Sequence, residues 1–179
     1  MPAAPDVRCQ INIPTLRAKE RQVSDGRLAA GQDHQIRPFG LMATESMRLE
    51  KGYRHWKADL ITEFNPMESG LERFVDMSKS FIGKDGLLSQ QPRAQFVSLD
   101  LQCDDAPAHP GDSITCAGKV VGTVTSAGWG HRTGTNIAFG FAEPTMGDNE
   151  LGILHLGRIT PATLAPMCRY DQNNTLMRG

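Results

Sequence analysis

The feature that most restricts the fold is a two-residue hydrophobic rhythm running from residue 94 to residue 164. Val97, Leu99 and Leu101 alternate with Phe96, Ser98 and Asp100, and Val120, Gly122 and Val124 alternate with Val121, Thr123 and Thr125. Ile137, Phe139 and Phe141 alternate with Ala138, Gly140 and Ala142, and Leu151, Ile153 and His155 with Gly152, Leu154 and Leu156. A last run covers 159–164. Successive side chains of a strand point to opposite faces, so each run offers one face to a core. Turn-forming clusters at 104–112, 117–118, 126–134, 143–149 and 157–158 separate the runs. Five or six short strands at this spacing predict a small antiparallel sandwich or barrel. Pro161 lacks an N–H for a ladder and predicts an edge or a bulge at its position.

The first half of the chain lacks this rhythm. Val7 to Ile13 is compatible with one short strand that Pro14 ends. Residues 15–30 are rich in charge and compatible with a helix, although Leu16, Val23 and Leu28 make a thin apolar stripe and Gly26 weakens it. A better helix is predicted over 39–51. Pro38 suits a first-turn position, where a missing N–H is no loss; Phe39, Met42, Ala43, Met47 and Leu49 lie on or beside one face, and Ser46 adds a small residue there. Lys51 places a cation in the last turn and Gly52 supplies the stop. Arg48 flanks this stripe and can lean either into solvent or across a site. Beyond it, 66–71 reads as a turn or short helical start, and 81–88 as a loop entering a short helix. The fold class expected is α+β.

Bulk properties narrow the function by exclusion. With 179 residues, a net charge of −1 and a pI near 6.5, the chain has a sizeable core but no dedicated nucleic-acid or anionic-membrane surface. No apolar run reaches the length of a membrane span, and the first residues have neither a basic nor an apolar signal region. The four cysteines form no C-x-x-C pair, which points to reduced thiols and a cytoplasmic-type compartment. Gly128 to Gly134 is rich in glycine but flanked by strand patterns, so it reads as a long hairpin loop rather than a dinucleotide turn. Gly83-Lys84 lacks the rest of a phosphate loop. The five histidines show no metal spacing, and His55, between Arg54 and Trp56, reads as a structural histidine before a general base. Residue chemistry alone therefore names no reaction.

A longer pattern does. Glu45-Ser46-Met47-Arg48-Leu49-Glu50-Lys51-Gly52-Tyr53-Arg54-His55-Trp56, followed by Ala58-Asp59-Leu60, closely resembles the glycine-cleavage T-protein (aminomethyltransferase) superfamily. It is most similar to the folate-binding part of dimethylglycine and sarcosine dehydrogenases. Residues 37–41, 66–71, 81–84, 122–126, 165–167 and 169–171 resemble the same family in the same order. The resemblance implies the C-terminal fragment of a folate-binding α/β domain over 1–90, followed by a small antiparallel β-barrel over 91–179. It implies tetrahydrofolate as ligand and transfer of a one-carbon unit to it from a small methylated amine or its iminium. FAD enters only through an upstream domain that oxidises the amine. Arg48 matches the motif's folate-touching arginine, and Tyr170 looks like the family's C-terminal tyrosine that closes over the ligand. Arg54, His55 and Trp56 are expected to fix the helix–barrel junction.

Departures from the pattern shape the remaining expectations. The family's glycine–aromatic–glutamate–leucine strand is matched by Arg8-Cys9-Gln10-Ile11, and an amide at Gln10 carries no charge to offer an iminium. The chain is therefore expected to be the C-terminal part of a longer or split enzyme, without a catalytic residue of its own and not competent alone. A missing N-terminal domain or subunit would complete the pocket, leaving Phe39, Met47 and Phe74 exposed here and the chain weakly stable or self-associating. The alternative is a non-catalytic binding or interaction piece that retains the barrel. A folate-binding RNA-modifying relative is a third reading, opposed by the missing basic surface. No nucleic-acid or membrane partner is expected, and the compartment implied is the cytoplasm, or the mitochondrial matrix in a eukaryote.

Overall fold

The computed structural model describes residues 17–103, 108–147 and 150–178. The strand expected at 7–13 and the Gln10 position lie outside them. Six strands follow the helix-bearing first half: β1 (Gln95–Leu101), β2 (Ser113–Cys116), β3 (Lys119–Gly130), β4 (Thr135–Ala142), β5 (Leu151–His155) and β6 (Arg158–Leu164). They close in the order β1-β4-β3-β2-β5-β6, every pair antiparallel. The barrel predicted by the alternation is therefore present, and closure removes the edges that an open sheet would expose.

Three details of the barrel differ from the sequence reading. β2 leaves no signal in the sequence, because one strongly apolar residue, Ile114, in four positions makes no visible rhythm. The glycine-rich stretch is not a long loop: β3 continues to Gly130, and the turn occupies only 131–134. Pro161 marks neither an edge nor a bulge. It pairs with Gly152 in an unbroken ladder, and its carbonyl accepts the Gln102 N–H at 2.9 Å where β1 has already ended.

The barrel interior is filled by Val97, Leu99, Leu101, Ile114, Val124, Ala138, Leu151, Ile153 and Ala162. Six strands leave little room inside, which is why β4 presents small residues there. A Cβ on Gly140 would stand 2.4 Å from the Thr123 carbonyl oxygen and 2.8 Å from Ile114. The other face of β4 is buried too, since Ile137 and Phe139 pack outward against Leu49.

Leu49 belongs to α2 (Leu41–Lys51), which follows α1 (Arg17–Ala30) and a 3-10 turn at Gln32–His34. The helix starts two residues later than predicted: Gly40 is its N-cap, so Pro38 lies outside the first turn. Gly52 ends it as expected, at φ 77° with its N–H on the Leu49 carbonyl. The buried face is Ser46, Leu49 and Glu50: the C-terminal end of the predicted stripe with Glu50 added, while Phe39, Met42 and Ala43 stay exposed. Met42 is 77% exposed and Phe39 43%, because only the C-terminal half of α2 reaches the barrel. Phe39 and Phe74 are exposed as anticipated, while Met47 is half-buried. Short helices α3 (Lys84–Ser89) and α4 (Thr175–Arg178) complete the chain.

Candidate functional site

The C-terminal turn of α2 is fastened to the barrel by polar groups. The Ser46 hydroxyl donates to the Trp129 carbonyl at 2.6 Å. Glu50, 2% exposed, accepts the backbone N–H groups of Arg132 and Thr133 at 2.6 and 3.0 Å, and so shapes the β3–β4 turn. Its carbonyl accepts the N–H groups of Arg169 and Tyr170 at 2.8 and 3.0 Å. Lys51 donates to the Asp171 carboxylate at 2.8 Å. That bond, helped by Thr175 and Leu176 and opposed by burial, holds the Asp171 carboxyl at about 2.

Past Gly52 the chain curls back, with the Ala58, Asp59 and Leu60 N–H groups on the His55 carbonyl. This curl delivers Asp59, which is fully buried, to the outside of the barrel. Asp59 Oδ2 accepts from Arg48 Nη1 and from the His55 N–H, both at 2.7 Å. Oδ1 accepts from the hydroxyls of Thr125 at 2.5 Å and Ser126 at 2.7 Å. Neighbouring strand residues normally face opposite ways; a register shift between Val124 and Ser126 supplies the extra residue that lets both hydroxyls reach one oxygen. Four donors thus meet one buried carboxylate, the condition under which its burial is tolerable.

Arg48 is also held by Glu45, through Nε at 2.8 Å and Nη2 at 2.6 Å, and its guanidinium carbon lies 6.0 Å from the centre of the Phe139 ring. One cation therefore stands between two carboxylates, one side buried at Asp59 and the other 28% exposed at Glu45.

Beside this hub a cleft of about 480 Å³ is lined by Trp56, Lys57, Leu60, Ile61, Phe64 and Leu71 among others. Its floor is rigid. Phe64 stacks on Phe141 of β4 with centroids 3.7 Å apart, and Arg54 lies 4.9 Å over Phe96 while donating to the Gly70 carbonyl. Burial, then the neighbouring Arg73, pushes the Arg54 guanidinium below its ordinary range, against the pull of Asp59 and Glu72. Glu68, 2% exposed, receives the backbone N–H groups of Asn65 and Arg93. Burial works to raise its carboxyl, but those bonds and the Arg93 side chain outweigh it and leave the group below the carboxylate range. Trp56 is 69% exposed, so its indole is open on one side.

Arg48, Tyr170 and the 54–56 segment, which the sequence points to, all lie near the end of α2, each with its own partners. Arg48 is occupied by Glu45, Asp59 and the Tyr53 carbonyl. The Tyr170 hydroxyl accepts from Arg132 at 2.6 Å, and the Arg132 guanidinium covers the ring at 4.7 Å. Arg54 joins the 70 region to the barrel, whereas Trp56 faces outward. Asp59 and Glu50, which organise the junction, were not singled out, although both lie within the run that carries the resemblance. The absence of metal spacing among the histidines did not anticipate that His109, Asp112 and His155 would come within 4.8 Å of one another.

A closed six-stranded barrel with a helix and a polar-locked connector on its outer wall defines a barrel-and-helix module. Residues 11–79 match the GCVT N-terminal domain model, and residues 95–171 match the glycine cleavage T-protein C-terminal barrel domain. The chain belongs to the glycine-cleavage T-protein (aminomethyltransferase) superfamily. Mitochondrial sarcosine dehydrogenase of Homo sapiens is 36% identical over 168 residues, covering 85% of this chain and 18% of that protein. Mitochondrial dimethylglycine dehydrogenase of Homo sapiens is 33% identical over 147 residues, 78% of this chain and 17% of that protein. The aminomethyltransferase of Thermus thermophilus is 31% identical over 131 residues, 73% of this chain and 37% of that protein. In fold, the glycine cleavage system aminomethyltransferase T of Bartonella henselae superposes with a TM-score of 0.73 at 22% identity, over 87% of this chain and 45% of that one. The chain spans about a fifth or less of the length of the dehydrogenases it matches. No helix among the described residues is long and apolar enough to cross a membrane.

Proposed function

We propose that this chain serves folate-dependent one-carbon transfer, of the aminomethyl or methylene kind, as the C-terminal part of a dimethylglycine- or sarcosine-dehydrogenase-type aminomethyltransferase. Residues 1–90 are then the remnant of the folate-binding domain and 91–179 its barrel. A further domain or subunit completes the pocket and carries any FAD, and the setting is the cytoplasm or the mitochondrial matrix. The observation that carries the reading is the cleft beside Asp59, whose lining starts at Trp56 in the run that carries the family pattern and continues to Leu71.

The residues present suit a reduced folate. An open indole at Trp56 and the apolar Leu60 and Phe64 suit a flat heterocycle, Lys57 suits a carboxylate tail, and the volume lies within the roughly 300–1,000 Å³ of small-molecule sites. Bound tetrahydrofolate supplies the nitrogens that take up the one-carbon unit. This chain's own part is to bind, orient and exclude water. Asp59 locks the 53–60 connector to the bulge in β3, which fixes the cleft wall to the barrel. Arg48 keeps Asp59 on its buried side and exchanges the exposed Glu45 for a carboxylate of the ligand. Tyr170, its ring covered and its hydroxyl held by Arg132, closes the neighbouring side. No residue of this chain is assigned to the chemical step.

A second reading, a non-catalytic interaction piece, is favoured by the engagement of Arg48 with two carboxylates already. Calorimetric titration with 5-formyltetrahydrofolate separates the two. The folate reading expects saturable binding that weakens about tenfold in Arg48→Lys and in Trp56→Ala, and tightens in Glu45→Gln because a competitor for Arg48 is gone. No heat at millimolar ligand with the fold intact favours the interaction piece instead.

A further inference from the structure

We propose that His109, Asp112 and His155 form a binding site for one divalent transition-metal ion of the zinc, nickel or copper type, on the wall of the barrel. The three donors are remote in sequence and are assembled by the backbone. Pairing of β2 with β5 sets Ser113 opposite Leu154, which brings Asp112 beside His155. Asp112 is tied to His109 in both directions, its N–H on the His109 carbonyl at 3.1 Å and its Oδ2 receiving the His109 N–H at 2.7 Å. The strap is pinned to β3 by the Gly111 N–H on the Val124 carbonyl and the Val124 N–H on the Asp112 carbonyl, each at 2.8 Å. Ala108, 5% exposed, anchors its start in the core.

The geometry suits coordination. His155 Nδ1 lies 2.8 and 2.9 Å from the two Asp112 oxygens. Two ligand atoms bound to one zinc-like ion, at angles between square and tetrahedral, stand about 2.9–3.4 Å apart, so that pair needs only a slight opening. The His109 and His155 rings stack with centroids 4.7 Å apart and 16° between planes, and ligand atoms of all three residues lie within 4.8 Å. His109 is exposed, so its ring can turn toward the shared point without disturbing the core. Two imidazoles and one carboxylate select a borderline transition ion over calcium or magnesium, and their single negative charge complements a dication. Three protein ligands leave a position for water. An ion there would clamp the 108–112 strap to the end of β5.

The test uses the full-length, tag-free chain stripped with chelator and titrated with zinc chloride by calorimetry, and with cobalt(II) by visible absorption. The expected result is one ion per chain, a dissociation constant in the micromolar range or below, and cobalt bands of a low-coordinate site. Saturation at about hundredfold excess over the dissociation constant should raise Tm by roughly 5–10 °C. His109→Gln, Asp112→Asn and His155→Gln should each weaken binding about tenfold or more, with His131→Gln unchanged. His109→Gln alters an exposed side chain, so its effect is readable even if Asp112→Asn fails to fold. No saturable binding, or binding undiminished in both His109→Gln and His155→Gln, would overturn the site.

Discussion

Replacing Asp59 by asparagine probes the hub on which the connector depends. The change keeps the side-chain volume and one acceptor oxygen but removes the negative charge facing Arg48. It also sets an N–H2 against donors that now meet the second oxygen. In the structure those donors are Arg48, the His55 N–H, and the Thr125 and Ser126 hydroxyls, around a carboxylate with no solvent exposure. Removing one member of a buried pair costs about 3–5 kcal/mol, and because Arg48 retains Glu45 the lower end applies, about 3 kcal/mol. For a chain of this size that is a fall in Tm of roughly 6–12 °C. Urea unfolding followed by circular dichroism gives the free energy directly. Arg48→Met should also destabilise, and the double variant should cost less than the two singles together by about 1–3 kcal/mol. A change below about 0.5 kcal/mol in Asp59→Asn, or strict additivity with Arg48→Met, would refute the hub.

Other consequences follow from the same contacts. Asp171 has a folded pKa depressed to about 2 by Lys51, so its contribution is complete above the unfolded value of about 3.9 and is lost as pH falls toward 2; acid titration of Tm should show this loss in the native chain and not in Lys51→Met. Gly140→Ala would place a Cβ 2.4 Å from the Thr123 carbonyl oxygen and should cost about 1–3 kcal/mol or prevent folding, whereas Gly134→Ala meets nothing nearby and bears only the penalty of its φ of 65°, as thermal melts would resolve. Met42→Glu, on the exposed face of α2, should leave stability within about 0.5 kcal/mol while reducing concentration-dependent association in sedimentation velocity. An unchanged sedimentation profile would show that this face does not drive association.

What could be read in advance follows the range of each interaction. The strands of the barrel are local: Val97, Leu99 and Leu101 announce a buried face within five residues of one another, and Gly52 announces a helix end by its own backbone freedom. β2 carries too few apolar residues to announce anything, and its place is set by partners on β3 and β5. The face of α2 is legible at Ser46 and Leu49, which the helical spacing places together and the barrel buries; Phe39 and Met42 stay exposed because the helix outruns the barrel, and Glu50 is buried through hydrogen bonds that no periodicity reveals. Asp59 looks like any aspartate until the bulge at Thr125 delivers two hydroxyls to it. His109 and His155 have no spacing that signals a pair, since only the β2–β5 ladder makes them neighbours.

Hydrogen exchange of the full chain with and without 5-formyltetrahydrofolate tests the central claim most directly. A folate-facing cleft predicts slowed exchange across residues 53–71, at the connector and the cleft wall, with the interior strands β2 and β5 unchanged. Identical exchange in both states at saturating ligand, or protection confined to strands remote from Trp56, would contradict it.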